Sequence, residues 1–267
     1  MNKNIKIVQE HYDANVLFEW NRIADKPEFL ITCRMLNRYI KPGDKVFDIG
    51  GGPGRYSFYF AEKGCDVTLF DLSPENIKFA NEKSVELNFP VKTICGDART
   101  ADKLVSGQFD HVLLMGPMYH LLEEADRIMA INAALNLLKP NGIIYVSFIN
   151  LFAGVLELMK LWDSESVIEE VEIDYFKSVV ARKSRSWEGF TKTFMMEQSE
   201  ILPFMSQFSL KKLHLFGQES ITSPFQHNII TPPKENVDVW LDLFEKLCER
   251  EDLLSLSQHL MYVGRKI

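Results

Sequence analysis

A short apolar strand that runs straight into a cluster of glycines is the most constraining feature of this 267-residue chain. Residues Val46 to Ile49 are followed at once by Gly50-Gly51-Gly52-Pro53-Gly54. Glycine lets the backbone turn tightly and approach a ligand without an intervening Cβ atom. In α/β proteins, such a turn between a strand and a helix holds a nucleotide-like ligand at the carboxyl end of the strand. The segment therefore predicts an α/β domain with a ligand site at this turn.

Strands and helices alternate along the chain on both sides of this turn. The predicted strands are 45–49, 66–71, 91–95, 109–115 and 143–149, and the predicted helices are 53–63, 74–88 and 123–138. Ser73-Pro74 is typical of a helix start, with Ser as the cap and Pro in the first turn. This alternation predicts a doubly wound parallel sheet, whose central strands are apolar on both faces.

The regions before 41 and after 150 have a different texture. Spacings of three and four predict a first helix, and Pro27 interrupts it before a second run over 29–40. The later segments predicted are helices at 151–162, 167–173, 197–207 and 235–248, a hairpin within 175–193, and strands at 211–216 and 259–264. We expect residues 1–40 to form a helical lid, 41–150 the core, 151–195 an inserted substrate cap, and 196–267 a return to the core sheet.

Composition narrows the functional classes. The net charge of −7 and pI near 5.5 argue against a general nucleic-acid binder, which needs a basic surface. The four cysteines form no CxxC pair, so neither a zinc site nor a dense disulfide framework is expected. No secretory signal is recognisable, and the longest uncharged stretch, 140–156, is too short and too polar for a membrane span. We expect a cytoplasmic protein without a membrane segment.

Two acidic residues end later strands. Asp71 closes the second strand and Asp97 follows the third. A carboxylate at the end of the second strand can accept hydrogen bonds from both hydroxyls of a ribose. The dinucleotide fingerprint G-x-G-x-x-G counted from Gly50 requires glycine at position 55, where this chain has Arg55. A nicotinamide or flavin dinucleotide is therefore disfavoured.

Four signatures in order resemble those of the Rossmann-like S-adenosylmethionine (SAM) methyltransferases, in particular the bacterial enzymes that act on small molecules. They are Asp48-x-Gly50-x-Gly52-x-Gly54, Asp71-Leu72-Ser73, Gly96-Asp97-Ala98, and Leu137-Leu138-Lys139-Pro140-Asn141-Gly142. The resemblance covers residues 46–149. It implies a doubly wound, seven-stranded α/β sheet with an antiparallel last strand, and it implies SAM as the cofactor.

The resemblance also implies roles for individual residues. Gly50 and Gly52 approach the methionine part of SAM, Asp71 binds the ribose, and Asp97 with Ala98 reads the adenine. The cofactor-binding residues implied are Tyr12, Arg22, Asp48, Gly50, Gly52, Asp71, Leu72, Asp97, Ala98 and Met115. Tyr12 is expected near the sulfonium and Arg22 near the cofactor carboxylate; the alternative for their helices is ordinary packing on the core.

The segment Gly116-Pro117-Met118-Tyr119-His120-Leu121 follows the fourth strand, where an acceptor would meet the methyl group. It is similar to the GPLYHL stretch of bacterial small-molecule methyltransferases. Gly116 and Met118 depart from the (N/D/S)-P-P-(Y/F) motif of nucleic-acid amino-methyltransferases, which counts against base methylation. Tyr119 and His120 are candidate catalytic residues, and His120 is a candidate general base; its alternative is a structural core histidine.

The expected activity is methyl transfer to a small molecule by in-line displacement, with the attacked atom undetermined. A basic and aromatic stretch, Arg182 to Phe194, keeps an RNA or protein substrate open, although a solvated hairpin face explains it as well. A second alternative is a non-catalytic SAM-binding regulator. No metal site is expected, because His214, His227 and His259 lack metal-ligand spacing.

Overall fold

A computed structural model describes residues 3–163, 165–188, 191–224 and 234–267 of the chain. The helices are α1 Lys3–Ala14, α2 Val16–Arg22, α3 Pro27–Leu36, α4 Arg55–Glu62, α5 Pro74–Leu87, α6 Ala101–Leu104, α7 Glu124–Leu137, α8 Ala153–Leu161, α9 Glu170–Val180, α10 Gln198–Met205 and α11 Lys234–Leu247. The strands are β1 Lys45–Ile49, β2 Asp66–Asp71, β3 Val91–Cys95, β4 Phe109–Leu114, β5 Leu138–Asn150, β6 Arg185–Glu188, β7 Lys192–Met196, β8 Leu210–Gly217 and β9 His259–Lys266.

The predicted doubly wound α/β fold is confirmed. Strands β1 to β5 are parallel in the order β3-β2-β1-β4-β5. The last strand, β9, runs antiparallel to both β5 and β8, which completes the seven strands expected. The hairpin β6–β7 adds two more strands, because β7 pairs in parallel with the end of β5 at Ile149 and Asn150. The sheet therefore has nine strands among the described residues.

The core lies on both faces of the sheet. Phe47, Phe70 and Val112 pack on one face with α7, whereas Val46, Leu69 and Leu113 pack on the other with α3, α4 and α11. Each of these side chains is at most 1% exposed, as expected for parallel strands covered on both sides. Burial on both faces fixes the strand positions and hence the edge at which their carboxyl ends meet.

Local chemistry sets both ends of α5 as predicted. The Ser73 Oγ atom accepts a hydrogen bond from the Asn76 backbone N–H at 3.0 Å, and Pro74 occupies the first turn of α5. Asn88 ends that helix in the left-handed conformation. The predicted turn at 139–142 lies inside β5 as an irregularity: between the pairs Phe109–Leu138 and His111–Ile143, β4 advances two residues and β5 five.

Three predicted elements were wrong in detail. The first helix is broken at Asn15, whose side-chain amide donates to the His11 carbonyl and separates α1 from α2. The expected helix at 167–173 is instead α9, and it includes residues that were expected to form the first arm of the hairpin. A capping box between Glu169 and Glu172 starts α9, and this local signal outweighs the apparent alternation. Phe190, also assigned to that hairpin, lies outside the described residues.

The division into lid, core, cap and returning segment stays a prediction. Helix α1 packs beside α5 and β7, and the β6–β7 hairpin continues the main sheet. In the described part of the chain, no helix combines the length and apolar character needed to cross a membrane.

Candidate functional site

A cleft opens at the carboxyl ends of the parallel strands, between the glycine turn, the segment after β4, and α1. Its empty volume is about 1210 Å³, including the mouth that faces solvent. All twelve residues singled out from the sequence line it: Tyr12, Arg22, Asp48, Gly50, Gly52, Asp71, Leu72, Asp97, Ala98, Met115, Tyr119 and His120. The fold therefore brings together side chains from five separate parts of the chain.

The glycine turn after β1 disfavours side chains, through close packing at Gly50 and through backbone conformation at Gly52. Gly50 has φ = +72°, and a Cβ atom there would lie 2.4 Å from the Pro117 ring. Gly52 has φ = +57°, which is also in the left-handed region that favours glycine. The bare backbone of this turn consequently forms one wall of the cleft.

Asp71 lies beside this turn and is 7% exposed. Its Oδ2 atom accepts a hydrogen bond from the Gly52 backbone N–H at 2.8 Å, and its Oδ1 atom accepts from the Ser73 N–H at 2.9 Å and the Asn76 amide at 3.1 Å. Burial nevertheless raises the pKa of Asp71 above its ordinary value. The carboxylate is thus held in a fixed orientation at the end of β2.

Asp48 is fully buried behind the glycine turn. Its Oδ2 atom accepts a hydrogen bond from the Ser57 hydroxyl at 2.7 Å, whereas Oδ1 has no hydrogen-bond partner among the described residues. Burial raises the pKa of Asp48 to about 7, and the nearby Asp71 charge contributes. A buried acceptor without a donor is costly, so this atom is a place where a ligand donor would be stabilised.

Asp97 and Ala98 follow β3 on the other side of the cleft. The Asp97 carboxylate forms an ion pair with Arg99, which also contacts Asp126 at 2.9 Å. This pairing lowers the pKa of Asp97 despite its partial burial. The carboxylate remains a quarter exposed, and the backbone of Ala98 begins a 3-10 turn at the edge of the cleft.

Tyr12 and His120 join α1 to the segment after β4. The His120 Nδ1–H donates to the Lys192 carbonyl at 3.0 Å, so Nε2 accepts a hydrogen bond from the Tyr12 hydroxyl at 2.7 Å. Burial lowers the pKa of His120 to about 4. His120 is therefore neutral at physiological pH, with both ring nitrogens engaged.

Arg22 and Tyr119 extend this side of the cleft. The Arg22 Nε atom donates to Glu19 at 2.9 Å and its Nη1 atom to Glu28 at 3.3 Å. The Tyr119 ring lies between the imidazoles of His120 and His259, with ring centroids 4.8 and 6.0 Å away. Leu72 and Met115 line the same cleft at the ends of β2 and β4.

The structure adds polar residues that the sequence patterns did not reveal, notably Glu28, Glu219 and His259. The His259 Nδ1–H donates to the Glu219 Oε1 atom at 2.6 Å. The second Glu219 oxygen accepts from the Ser257 hydroxyl at 2.5 Å and from the His259 backbone N–H at 3.0 Å. No local sequence motif identifies Glu219 as a functional residue. The sequence offers only its partner His259, at the start of the last strand, and that histidine was considered only as a metal ligand.

Several residues outside the cleft have structural partners. His111 is buried and contacts Asp44 at 3.2 Å and the Tyr145 hydroxyl at 3.2 Å, which indicates a structural role. In the basic stretch, Arg182 pairs with Glu197 and Arg185 with Asp174, both at 3.0 Å. Paired cations of this kind are typical of a solvated surface and give little support to an RNA substrate.

The sequence of this chain is similar to those of known methyltransferases. A family described as "Methyltransferase domain" matches residues 46–142. The ubiquinone biosynthesis O-methyltransferase of Xanthomonas campestris is 34% identical over 117 residues, which are 42% of this chain and 46% of that protein. The enzyme of the same name from Photorhabdus laumondii is 25% identical over 191 residues, 70% of this chain and 72% of that protein. The chain thus spans about half the length of the first of these relatives.

Solved structures share the fold over nearly the whole chain. Magnesium protoporphyrin IX methyltransferase from Synechocystis, determined with bound SAH, superposes with a TM-score of 0.60 at 12% identity. The superposition covers 99% of this chain and 100% of that one. Residues 46–142 thus match a methyltransferase domain, and the chain as a whole shares the fold of that solved methyltransferase.

Proposed function

We propose that this protein binds SAM in the cleft and transfers its methyl group to a small-molecule acceptor. The observation that carries the proposal is the convergence of the glycine turn, Asp71 and the Asp97–Ala98 corner on one cleft. When bound, SAM supplies a methyl group on a positively charged sulfur, with a neutral thioether as the leaving group. The task of the protein is then to align the two reactants and exclude water.

The residues of the cleft fit such a ligand. Asp71 would accept the ribose hydroxyls, and the Asp97–Ala98 corner would hold the adenine. The bare Gly50–Gly52 backbone leaves room for the methionine part, and the unpartnered Asp48 Oδ1 atom would accept its ammonium group.

The remaining predicted residues would complete the cofactor site. Arg22 keeps its Nη2 group without a hydrogen-bond partner among the described residues, and this group would face the cofactor carboxylate. Tyr12 would present an aromatic ring to the sulfonium. Leu72 and Met115 would contribute apolar walls.

A small acceptor suits the shape and charge of the site. Helix α1 crosses the cleft and is tied down by the Tyr12–His120 hydrogen bond, which restricts access on the acceptor side. The net charge of −7 does not favour a nucleic-acid substrate. The relatives named as O-methyltransferases support a small acceptor. The cytoplasmic location expected from the sequence stays part of the proposal.

Calorimetric titration with SAM, S-adenosylhomocysteine and NAD tests the proposed cofactor. We expect binding of the first two and none of NAD. Binding of NAD alone would overturn the assignment, and SAM binding without methyl transfer to any member of an acceptor library would indicate the non-catalytic regulator instead.

The first prediction concerns Asp71. Asp71→Ala should weaken SAM binding by about 2–3 kcal/mol, because hydrogen bonds to a charged acceptor contribute roughly 1.5–3 kcal/mol. The matched control is Asp66→Ala at the opposite end of β2, where the side chain is 46% exposed and pairs with Lys92. Calorimetry of both variants, with thermal unfolding to verify folding, measures the difference. Equal affinities in the two variants would remove Asp71 from the site.

A further inference from the structure

A second histidine reaches the cleft, and its surroundings differ from those of His120. His259 is the first residue of β9 and pairs with Ile149 at the carboxyl end of β5. It therefore lies at the same sheet edge as the segment after β4, beside the Tyr119 ring. Its side chain lines the cleft and is 17% exposed.

Glu219 fixes the orientation and tautomer of this imidazole. A carboxylate can only accept the 2.6 Å hydrogen bond, so the proton of the neutral ring is on Nδ1 and the lone pair is on Nε2. The His259 Nε2 atom makes no hydrogen bond with any described residue. Glu219 is fully buried and held by three donors, which makes it a rigid support for the ring.

We infer that the His259 Nε2 atom is the general base that deprotonates a hydroxyl acceptor, with Glu219 as its positioning residue; this rests on the proposed methyl transfer. The hydroxyl oxygen forms a bond to the methyl carbon while the carbon–sulfur bond breaks. The hydroxyl proton passes to Nε2, and the resulting imidazolium releases it to solvent through the cleft. Proton removal matters for a hydroxyl because its pKa is far above neutral.

The electrostatic environment supports this assignment. Glu219 and the nearby Glu28 stabilise the imidazolium and raise the pKa of His259 above its ordinary value, although burial and Arg22 oppose them. Tyr119 packs against the same ring. His120, in contrast, uses its Nε2 atom to accept from Tyr12, and its pKa is depressed. Of these two cleft histidines, His259 has the accessible lone pair and the basicity that proton transfer requires.

A metal ion is the rival explanation for this cluster. Glu28, Glu219 and His259 each offer one ligand atom within 4.8 Å of the others. However, N–H and O–H donors already occupy both Glu219 oxygens, and Arg22 lies 3.3 Å from Glu28. A cation would have to displace these donors, so we favour the base.

Two readouts test the inference in the whole 267-residue chain. The first is an NMR titration of the imidazole signals, in which the His259 signal is identified by its loss in His259→Asn. The His259 pKa should lie above the ordinary value, and it should fall in Glu219→Gln. Methylation rates are then measured as S-adenosylhomocysteine release, with catechol as the hydroxyl probe and benzylamine as the amine probe. The matched control is His214→Asn, because His214 also pairs with a carboxylate, Glu249, at 2.6 Å but lies outside the cleft.

We expect His259→Asn to reduce the turnover of catechol at least 100-fold while SAM still binds, and His214→Asn to keep the wild-type rate. In Glu219→Gln the acidic limb of the rate profile should move to lower pH, because the base loses the charge that raises its pKa. Three results would overturn the inference. They are an undiminished rate in His259→Asn, methylation of benzylamine alone, and methylation that needs added Mg²⁺ and is lost when EDTA is added.

Failure of this inference can be distinguished from failure of the proposed function. If the protein binds SAM but methylates neither probe, the NMR titration tests the inference. A His259 pKa at or below the ordinary value then overturns the assignment of His259 as the base. If the wild-type protein does not bind SAM, that result would instead contradict the methyltransferase proposal itself.

Discussion

Two buried carboxylates behind one glycine turn are the most informative residues in this protein. Asp48 and Asp71 influence each other electrostatically, and their hydrogen-bond donors are hydroxyl, backbone and amide groups rather than cations. Burying negative charge without a counter-ion destabilises a folded protein. The arrangement is therefore suited to a ligand that brings donors and positive charge, as SAM does.

Asp48→Asn should stabilise the unliganded protein in a pH-dependent way. Because the folded pKa of Asp48 is raised to about 7, the native state resists its ionisation, and stability falls as pH rises from about 4 to 7. The neutral amide removes this loss, so we expect the free energy of unfolding to increase by about 1–3 kcal/mol more at pH 8 than at pH 4.5. Urea unfolding at both pH values measures it.

The same substitution should weaken SAM binding. An equal change in stability at both pH values, together with unchanged SAM affinity, would contradict the account of Asp48 as a strained cofactor ligand.

The sequence predicts some of these residues far better than others. Asp71 ends β2 and Asp97 follows β3 closely, and strand periodicity therefore assigns both to one sheet edge. The Tyr12–His120 contact joins residues 108 positions apart, and the His259–Glu219 pair joins residues 40 positions apart. Such contacts depend on tertiary packing, which local periodicity does not encode.

At the scale of elements, α1 lines one side of the cleft. It is tied to the rest of the molecule by the Tyr12–His120 hydrogen bond and by a hydrogen bond from the Ser73 hydroxyl to Asp13. Its own side chains Ile5 and Val8 are buried. The helix therefore combines apolar packing with two specific polar contacts at its carboxyl-terminal end.

Tyr12→Phe should loosen the attachment of α1 to the segment after β4 without unfolding the core. Losing one hydrogen bond and leaving the His120 Nε2 atom without its donor should cost about 1–2 kcal/mol locally. Hydrogen exchange should then speed up in residues 3–14 but not in β1 or β4, and SAM should bind more weakly. The control is Tyr59→Phe, which removes a hydrogen bond from the Asn37 amide away from the cleft. Unchanged exchange in α1 would contradict the proposed tether.

Element prediction succeeded for the buried strands and for the start of α5 at Ser73, and it failed at α9 and at the break between α1 and α2. The central strands β1, β2, β4 and β5 were predicted because parallel strands covered on both sides are largely apolar. Helix α9 was partly misassigned as a strand because Val179 and Ala181 have the spacing of two that is typical of a strand, whereas its Glu169–Glu172 capping box selects the helix. The break at Asn15 likewise depends on one side-chain hydrogen bond to the backbone.

At the scale of the whole molecule, cofactor binding should appear as added stability. A ligand that binds only the folded state contributes about 2.7 kcal/mol at a concentration one hundred times its Kd. For a chain of this size we expect SAM to raise the Tm by roughly 5 °C, and NAD to leave it unchanged. Differential scanning calorimetry measures both, with Asp71→Ala as a variant whose Tm should respond to SAM only at higher concentration. A Tm insensitive to SAM would argue against binding to the native fold.

A crystal structure determined with S-adenosylhomocysteine tests the central claim most directly. The account predicts the ribose hydroxyls on the Asp71 carboxylate, the adenine beside Asp97 and Ala98, and the sulfur facing the space bounded by Tyr12, Tyr119 and His259. A nucleoside bound elsewhere, or an Asp71 side chain turned away from it, would contradict the assignment of this cleft as the cofactor site.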